Sequence, residues 1–222
     1  ARLAAEAALR TGAGIVTVAT PPDAAATVAA WRAAFVVKPA PDMEALSKLI
    51  AEPRLRSAVL GPGLGLGDEV WSAIRAALQG NVALVIDADA ITQASRHRDE
   101  AFSLIKARTA GVVLTPHDGE FARLFPDIVG SKLDRARSAA ARSGAIVLLK
   151  GADTVIAHPD GRAVINENAT AALATAGSGD VLAGIIGGLM ATGCPAFEAA
   201  ALGAWMHGEA GRIAGIGSIA DE

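Results

Sequence analysis

The sequence predicts an α/β fold with a mainly parallel sheet covered on both faces, and three observations carry that prediction. Short, continuously apolar runs recur along the chain, segments with helical spacing separate them, and glycine-bearing polar loops stand just past several of the runs. In order, residues 1–11 place Leu3, Ala7 and Arg10 at helical spacing and stop at Gly12 and Gly14, ahead of the β-branched run 15–18. Helix follows over 42–51, strand over 58–60, helix over 68–78 opened by Asp68, and strand over 82–86. The pattern continues with helix near 99–107, strand 112–114, helix 131–142 and strand 145–149. Past Lys150 the alternation breaks: the β-branched runs 154–157 and 163–165 flank Pro159-Asp160-Gly161, the signal of a small antiparallel hairpin. Two long helices, about 179–192 and 196–214, close the chain around Gly193-Cys194-Pro195. With no repeat and no linker, residues 1–222 read as one domain.

Composition narrows the function classes. Hydrophobic residues make up 52% and charged residues 19%, a balance that excludes a disordered chain. Twenty Lys and Arg stand against 23 Asp and Glu, and no basic run exceeds a pair, so neither nucleic acid nor an anionic membrane surface is an expected partner. A lone Cys194 excludes an intrachain disulfide, and His97, His117, His158 and His207 lack metal-ligand spacing, which argues against structural zinc. The longest apolar run, 181–194, contains four glycines and falls short of the roughly 20 residues that span a bilayer, so it reads as a buried helix. No leader-like segment opens the chain, and the expected compartment is the cytoplasm. The chain begins at Ala1-Arg2 inside a helical pattern without Met, and reads as trimmed at its N-terminus.

In open α/β sheets ligands bind outside the carboxyl ends of the strands, so four loops there are the candidate site. Gly61-Pro62-Gly63-Leu64-Gly65-Leu66-Gly67 lets backbone approach a ligand closely ahead of a helix N-terminus, or is simply a tight turn; its spacing is not that of a dinucleotide fingerprint. Asp87-Ala88-Asp89 offers carboxylates that hold Mg²⁺ through water, unless Asp89 only caps the next helix. Thr115-Pro116-His117-Asp118-Gly119-Glu120 projects His117 into the crevice, as a ligand contact or as an ordinary surface residue. It also sets Glu120 on a first helical turn, where a carboxylate suits the dipole or a metal water. Last come Lys150-Gly151-Ala152-Asp153-Thr154 and Ala174-Thr175-Ala176-Gly177-Ser178-Gly179-Asp180. Successive N–H groups of Gly177, Ser178 and Gly179 at a helix start make an anion hole for a phosphoryl group, with Asp180 beside it as a base; the competing reading is that Ser178 or Asp180 caps the helix.

These segments, with Leu173-Ala174-Thr175-Ala176-Gly177-Ser178-Gly179-Asp180-Val181-Leu182-Ala183-Gly184 the most specific, resemble in order the motifs of ADP-dependent NAD(P)H-hydrate dehydratases, a nicotinamide-repair family. The resemblance covers nearly the whole chain and implies a ribokinase-like three-layer α/β/α fold. It implies an enzyme that transfers phosphate from ADP to the ring hydroxyl of hydrated NADH or NADPH (NAD(P)HX) and then expels it, giving NAD(P)H, AMP and phosphate. On that resemblance Asp180 is the catalytic base and also contacts NAD(P)HX with Gly63 and His117. Lys150, Gly151, Ala152, Asp153, Thr154, Gly177, Ser178 and Gly179 bind ADP or AMP, and Glu120 and Asp87 position Mg²⁺ or its waters. It further implies a homo-oligomer, and an epimerase fused or partnered on the same metabolite. Two departures stand out: Asp118 where the family usually has Pro, and Asn168-Ala169-Thr170-Ala171-Ala172 where a Gly-Asn-Pro-like stretch is common. Vitamin-precursor kinases of the same fold, for hydroxymethylpyrimidine or thiazole, share the Gly-x-Gly-Asp ending and remain an alternative, as does a catalytically silent nucleotide-binding module.

Overall fold

Six strands form the main sheet in the order in which they occur along the chain: β3 (Ser57–Leu60), β4 (Ala83–Ile86), β5 (Val112–Leu114), β6 (Ile146–Leu149), β7 (Thr154–Ala157) and β8 (Ala163–Asn166). In this computed structural model, which describes residues 1–221, β3 to β6 run parallel and β7 and β8 add antiparallel. Parallel neighbours that follow one another in sequence need crossovers of one hand, so all the connecting helices land on one face. That face carries α3 (Met43–Ile50), α4 (Val70–Gln79), α5 (Ala88–Arg96), α6 (Arg98–Lys106), α7 (Asp118–Leu124) and α8 (Lys132–Ser143). The opposite face is left for the C-terminal pair, α9 (Ser178–Ala191) and α10 (Ala196–Ala214).

Strand periodicity divides the core accordingly. Leu84, Ile86, Val112, Leu114, Val147 and Leu149 pack on the α3 to α8 side, with Ile74, Ile91, Phe121 and Leu124. Val85, Val113, Ile146, Leu148 and Ile156 meet Leu182, Ile186, Met190 and Ala200 of α9 and α10. The three-layer α/β/α arrangement expected from the sequence is therefore the one observed. The apolar run 181–194 forms most of α9, largely buried, and continues past its end at Ala191; no helix among the described residues is long and apolar enough to cross a membrane.

Outside this frame, α1 (Arg2–Arg10) lies against α9, where Gly184 and Gly188 leave no room for a Cβ against the backbone of Ala4 and Ala8. Glycine is required there by close approach. A second, two-stranded parallel sheet of β1 (Val16–Thr20) and β2 (Phe35–Pro39), covered by the short α2 (Ala25–Ala29), packs on α1 through Ala5, Val18, Val28 and Phe35. Glu6 ties the two together by accepting from Arg10, Arg32 and Trp31, and the Arg32 hydrogen bond foremost holds its carboxyl down to about 2.

Asp42 caps α3 and Ser131 caps α8 by accepting from backbone N–H groups three residues on, which is why those two helix starts were readable to within a residue. Elsewhere the structure departs from expectation. Asp68 does not open α4: the helix starts at Val70 without a side-chain cap. Neither α2 nor β2 was expected; β2 is mostly solvent-facing, with Phe35 its only buried residue and Lys38-Pro39 closing the apolar run.

Candidate active site at the carboxyl ends of the parallel strands

Asp87 follows directly on β4, yet its side chain is only 2% exposed. A carboxylate so buried persists only if other groups satisfy it. Its Oδ1 accepts from Lys150 Nζ at 2.8 Å and from Thr115 Oγ1 at 2.9 Å. Thr115 stands past β5 and Lys150 past β6, so three adjacent strands deliver these groups to one point. Lys150 Nζ is also 3.8 Å from Glu120 Oε2, which makes one ammonium face two buried carboxylates. The cluster therefore carries one uncompensated negative charge.

His117 and Glu120 form a reciprocal capping box at the start of α7. His117 Nδ1 accepts from the N–H groups of Gly119 and Glu120 at 3.0 and 3.3 Å, and Glu120 Oε2 accepts from the His117 N–H at 2.9 Å. With Nδ1 an acceptor, Nε2–H is the proton-bearing nitrogen of a ring that is 57% exposed, and it lies 3.6 Å from Glu120 Oε1. His117 thus has a structural role that neither sequence alternative contained.

The glycine loop after β3 is pinned from one side only. Gly61, at φ +132°, presses on the Asp87 carbonyl so closely that no Cβ fits. Gly63 and Gly65, at φ +71° and +88°, face open space. Behind them α5 supplies a row of side chains. Asp89 Oδ2 accepts from the Gly65 N–H at 2.9 Å, Gln93 Nε2 donates to the Gly67 carbonyl at 2.7 Å, and Arg96 donates to the Leu66 carbonyl at 3.0 Å. Asp89 therefore does not cap α5; that N-cap position belongs to Asp87, whose side chain makes no capping bond. Between these two carboxylates Ala88 sits at φ +46°, a left-handed conformation costly for a residue with a Cβ.

Past β6, Gly151, Ala152 and Asp153 form an exposed turn closed by Thr154, whose Oγ1 donates to the Gly151 carbonyl at 2.9 Å. Lys132 of α8 reaches across Gly151 to Asp153 at 2.8 Å, and that hydrogen bond is the main reason the Asp153 carboxyl lies below its usual range.

At α9 the capping alternatives fail: the N-cap is Gly177, at φ +88°, and no side chain caps the turn. Ser178 N–H makes a long 3.3 Å bond to the Thr175 carbonyl, leaving Gly179 and Asp180 as the N–H groups aimed out of the helix, beside the partial positive charge of its N-terminus. Lys150 Nζ lies 3.6 Å from where a Gly179 Cβ would stand, so the lysine joins the carboxylate cluster to this turn. The Asp180 carboxylate is partly exposed, with the Ala1 backbone nitrogen 3.3 Å from Oδ2. Ser178 Oγ turns inward to His207 Nε2 of α10, 3.0 Å away.

The structure thus brings Asp87, Glu120, Lys150 and Gly179 together, with Ser178 and Asp180 on the same turn as Gly179. It sets Gly63 and His117 on the loops after β3 and β5, on either side of the Asp87 loop, and Gly151 to Thr154 on the loop that Lys150 opens. Sequence reasoning placed Thr115 in a candidate loop without giving it a role, and did not single out Gln93, Arg96, Lys132 or His207. Their contacts span 21 to 30 residues, and no local pattern announces the pairings.

The bifunctional NAD(P)H-hydrate repair enzyme Nnr of Gloeobacter violaceus is 42% identical over 206 residues, covering 90% of this chain and 39% of that protein. The ADP-dependent (S)-NAD(P)H-hydrate dehydratase of Neisseria meningitidis serogroup B is 39% identical over 178 residues, 77% of this chain and 59% of that one. This chain therefore spans 39% and 59% of the length of these two curated relatives, under two thirds of either. Among solved structures, the ADP/ATP-dependent NAD(P)H-hydrate dehydratase from Bacillus subtilis, co-crystallized with ATP/Mg²⁺, superposes with a TM-score of 0.79 at 27% identity, over 96% of this chain and 75% of that one. Since the family model described as NAD(P)H-hydrate dehydratase matches residues 1–215, nearly its full length, the chain belongs to the NAD(P)H-hydrate dehydratase family, of ribokinase-like fold.

Proposed function

We propose that this chain dehydrates hydrated NADH and NADPH at the expense of ADP. The observation that carries the reading is the uncapped first turn of α9, which presents outward N–H groups, a carboxylate and a neighbouring ammonium within one turn of helix. Phosphoryl transfer needs positioning, charge stabilisation and a proton acceptor, and these groups supply all three.

In this reading Asp180 accepts the proton of the ring hydroxyl as its oxygen attacks the β-phosphorus of ADP. The bond from that phosphorus to the bridging oxygen breaks, and AMP leaves with that electron pair. Gly179 and Asp180 N–H groups and Lys150 hold the transferring phosphoryl oxygens. The ring nitrogen lone pair then expels phosphate, a better leaving group than hydroxide, and loss of a proton from the adjacent carbon restores the double bond. Gly63 and the His117 Nε2–H face the hydrated dinucleotide, while the 151–154 turn lines the adenine nucleotide.

Asp87 and Glu120 fit Mg²⁺: they are hard oxygen donors whose joint charge exceeds that of Lys150 by one, and Mg²⁺ is commonly held by one or two carboxylates through its waters together with substrate phosphates. The ion would supply neutralisation of phosphate charge at that edge of the site.

We place this activity in the cytoplasm. Leu202, Trp205 and Ile213, exposed on α10, support a homo-oligomer. The bifunctional relatives support an epimerase, fused or separate, working on the same metabolite.

The test is absorbance at 340 nm on mixing the protein with hydrated NADH, Mg²⁺ and either ADP, ATP or no nucleotide. A rise that requires ADP, and that falls by about a hundredfold to ten-thousandfold in Asp180→Asn, is expected. Absence of any rise from protein that binds ADP, or an Asp180→Asn variant as active as its parent, overturns the reading.

A further inference from the structure

His207 is a residue for which the reaction as proposed has no use. It lies in the interior of α10 at 9% exposure, and Ser178, at 7%, is its hydrogen-bond partner. Burial pushes the imidazole down to about 4; a hydrogen bond with the Ser178 backbone pulls the other way, and the Lys150 charge adds to the fall. The ring is therefore neutral at ordinary pH, with one proton on one of its nitrogens.

A serine hydroxyl owns one proton and two lone pairs, so the 3.0 Å contact permits two arrangements. If Nε2 is bare, Ser178 must donate to it, and only oxygen lone pairs remain for whatever occupies the turn. If Nε2 carries the proton, Ser178 Oγ accepts from His207 and its own proton is free to point away. Beside a helix N-terminus occupied by a phosphoryl group, the first arrangement sets lone pairs against phosphate oxygens, and the second sets a donor against them. Anion occupancy selects the second.

We propose that His207 is a positioning residue of the phosphoryl site, whose Nε2–H donates to Ser178 Oγ and so turns the Ser178 hydroxyl towards the phosphoryl oxygen, adding a side-chain donor to the backbone donors of α9. This rests on the reading of the α9 turn as the phosphoryl site. Because the donor acts where charge develops, its loss falls on kcat more than on the KM for hydrated NADH.

Three variants and one spectrum test it. Ser178→Ala and His207→Leu should each lower kcat about tenfold to a hundredfold, with the KM for hydrated NADH within about threefold of the parent. His207→Gln, whose amide donates from a similar place, should recover most of that rate. In the double variant His207→Leu should add little to Ser178→Ala, because both remove one interaction. Multiplying losses, or full activity in His207→Leu, overturns the proposal. The spectrum does not depend on activity or on a folded variant: ¹⁵N shifts of the His207 ring in the parent protein, with inorganic phosphate or ADP added, should show a proton-bearing Nε2. A bare Nε2 in the phosphate-bound protein overturns the proposal even where the absorbance assay succeeds. A proton-bearing Nε2 with no nucleotide-dependent dehydration would instead locate the failure in the proposed reaction.

Discussion

At the amino end of the parallel strands, Arg108 donates to the carbonyls of Ala77, Leu78, Gly80 and Val82, closing off the last turn of α4 and the entry to β4 with a single side chain. At the carboxyl end of the same strands the closure is only partial: His117 and Glu120 cap α7 and side chains of α5 hold the glycine loop, but the first turn of α9 has no side-chain cap, the Asp87, Glu120 and Lys150 cluster is one positive charge short of neutral, and Ala88 holds a left-handed conformation between two carboxylates. Helix ends leave unpaired backbone groups that must go somewhere. The amino end satisfies them internally here, and at the other the α9 turn keeps donors and charge for a ligand. The contrast singles out the α9 turn as the candidate site without reference to any relative.

The largest expected effect comes from breaking the carboxyl end at its hub. Lys150→Met leaves Asp87 charged, buried and short of its cation, and removal of one partner from a buried pair costs about 3–5 kcal/mol. Chemical denaturation should show that loss, together with loss of dehydratase activity. Adding Asp87→Asn should restore most of the stability and none of the activity, since the second change removes the stranded charge without returning a cation to the α9 turn. Recovery of both would mean that Lys150 only neutralises Asp87.

The contrast also explains which parts of the chain were legible beforehand. Strands β4 to β6 were readable because a strand buried on both faces is a continuous apolar run, β3 because its apolar run 58–60 stands out even at the half-buried sheet edge, and α3 and α8 because Asp42 and Ser131 are capping residues at their starts. The loops of the site were readable because glycines at positive φ and polar residues past strand ends leave a mark in one dimension. What those side chains do to one another left none. The Asp87 to Lys150 pair spans 63 residues, and His207 sits in an Ala- and Gly-rich helix whose composition says only that it packs closely. Nor did anything single out Arg108, which in sequence is one more arginine after an amphipathic helix and in the structure is the clamp of the opposite end.

Acid should act next, and on the carboxyl end first. The folded His207 ring titrates near 4 and an unfolded one near 6.5, so between those values the unfolded chain binds more protons. The stability tied to keeping His207 neutral is fully present above about pH 6.5 and drains away as pH falls towards 4, a loss on the order of 3 kcal/mol. Glu6, which joins α1 to the small sheet, titrates near 2 when folded against 4.5 unfolded, so its contribution is lost only at lower pH, between those two values. Stability measured from pH 7 to pH 3 should fall in the upper window first, and His207→Gln should flatten that part of the curve. An unchanged curve would show that the imidazole is not held neutral by the fold.

The smallest effect belongs to the amino end and sharpens the comparison most. Arg108→Ala removes donors from four carbonyls, of which those of Ala77, Leu78 and Val82 lie partly buried, and returns the α4 terminus to whatever water reaches it. Burial already pushes the guanidinium pKa down, and its Nε is buried with no partner, so the parent bears a desolvation cost that the variant escapes. The net loss should therefore be about 2 kcal/mol, below the sum expected for four bonds to a charged donor. Activity per folded molecule should not change, because no site residue touches Arg108. A variant that keeps its stability but loses turnover would show that the two ends of the sheet are coupled, and that the amino end is not merely closed but holds the strands in the register that brings Asp87, Thr115 and Lys150 together.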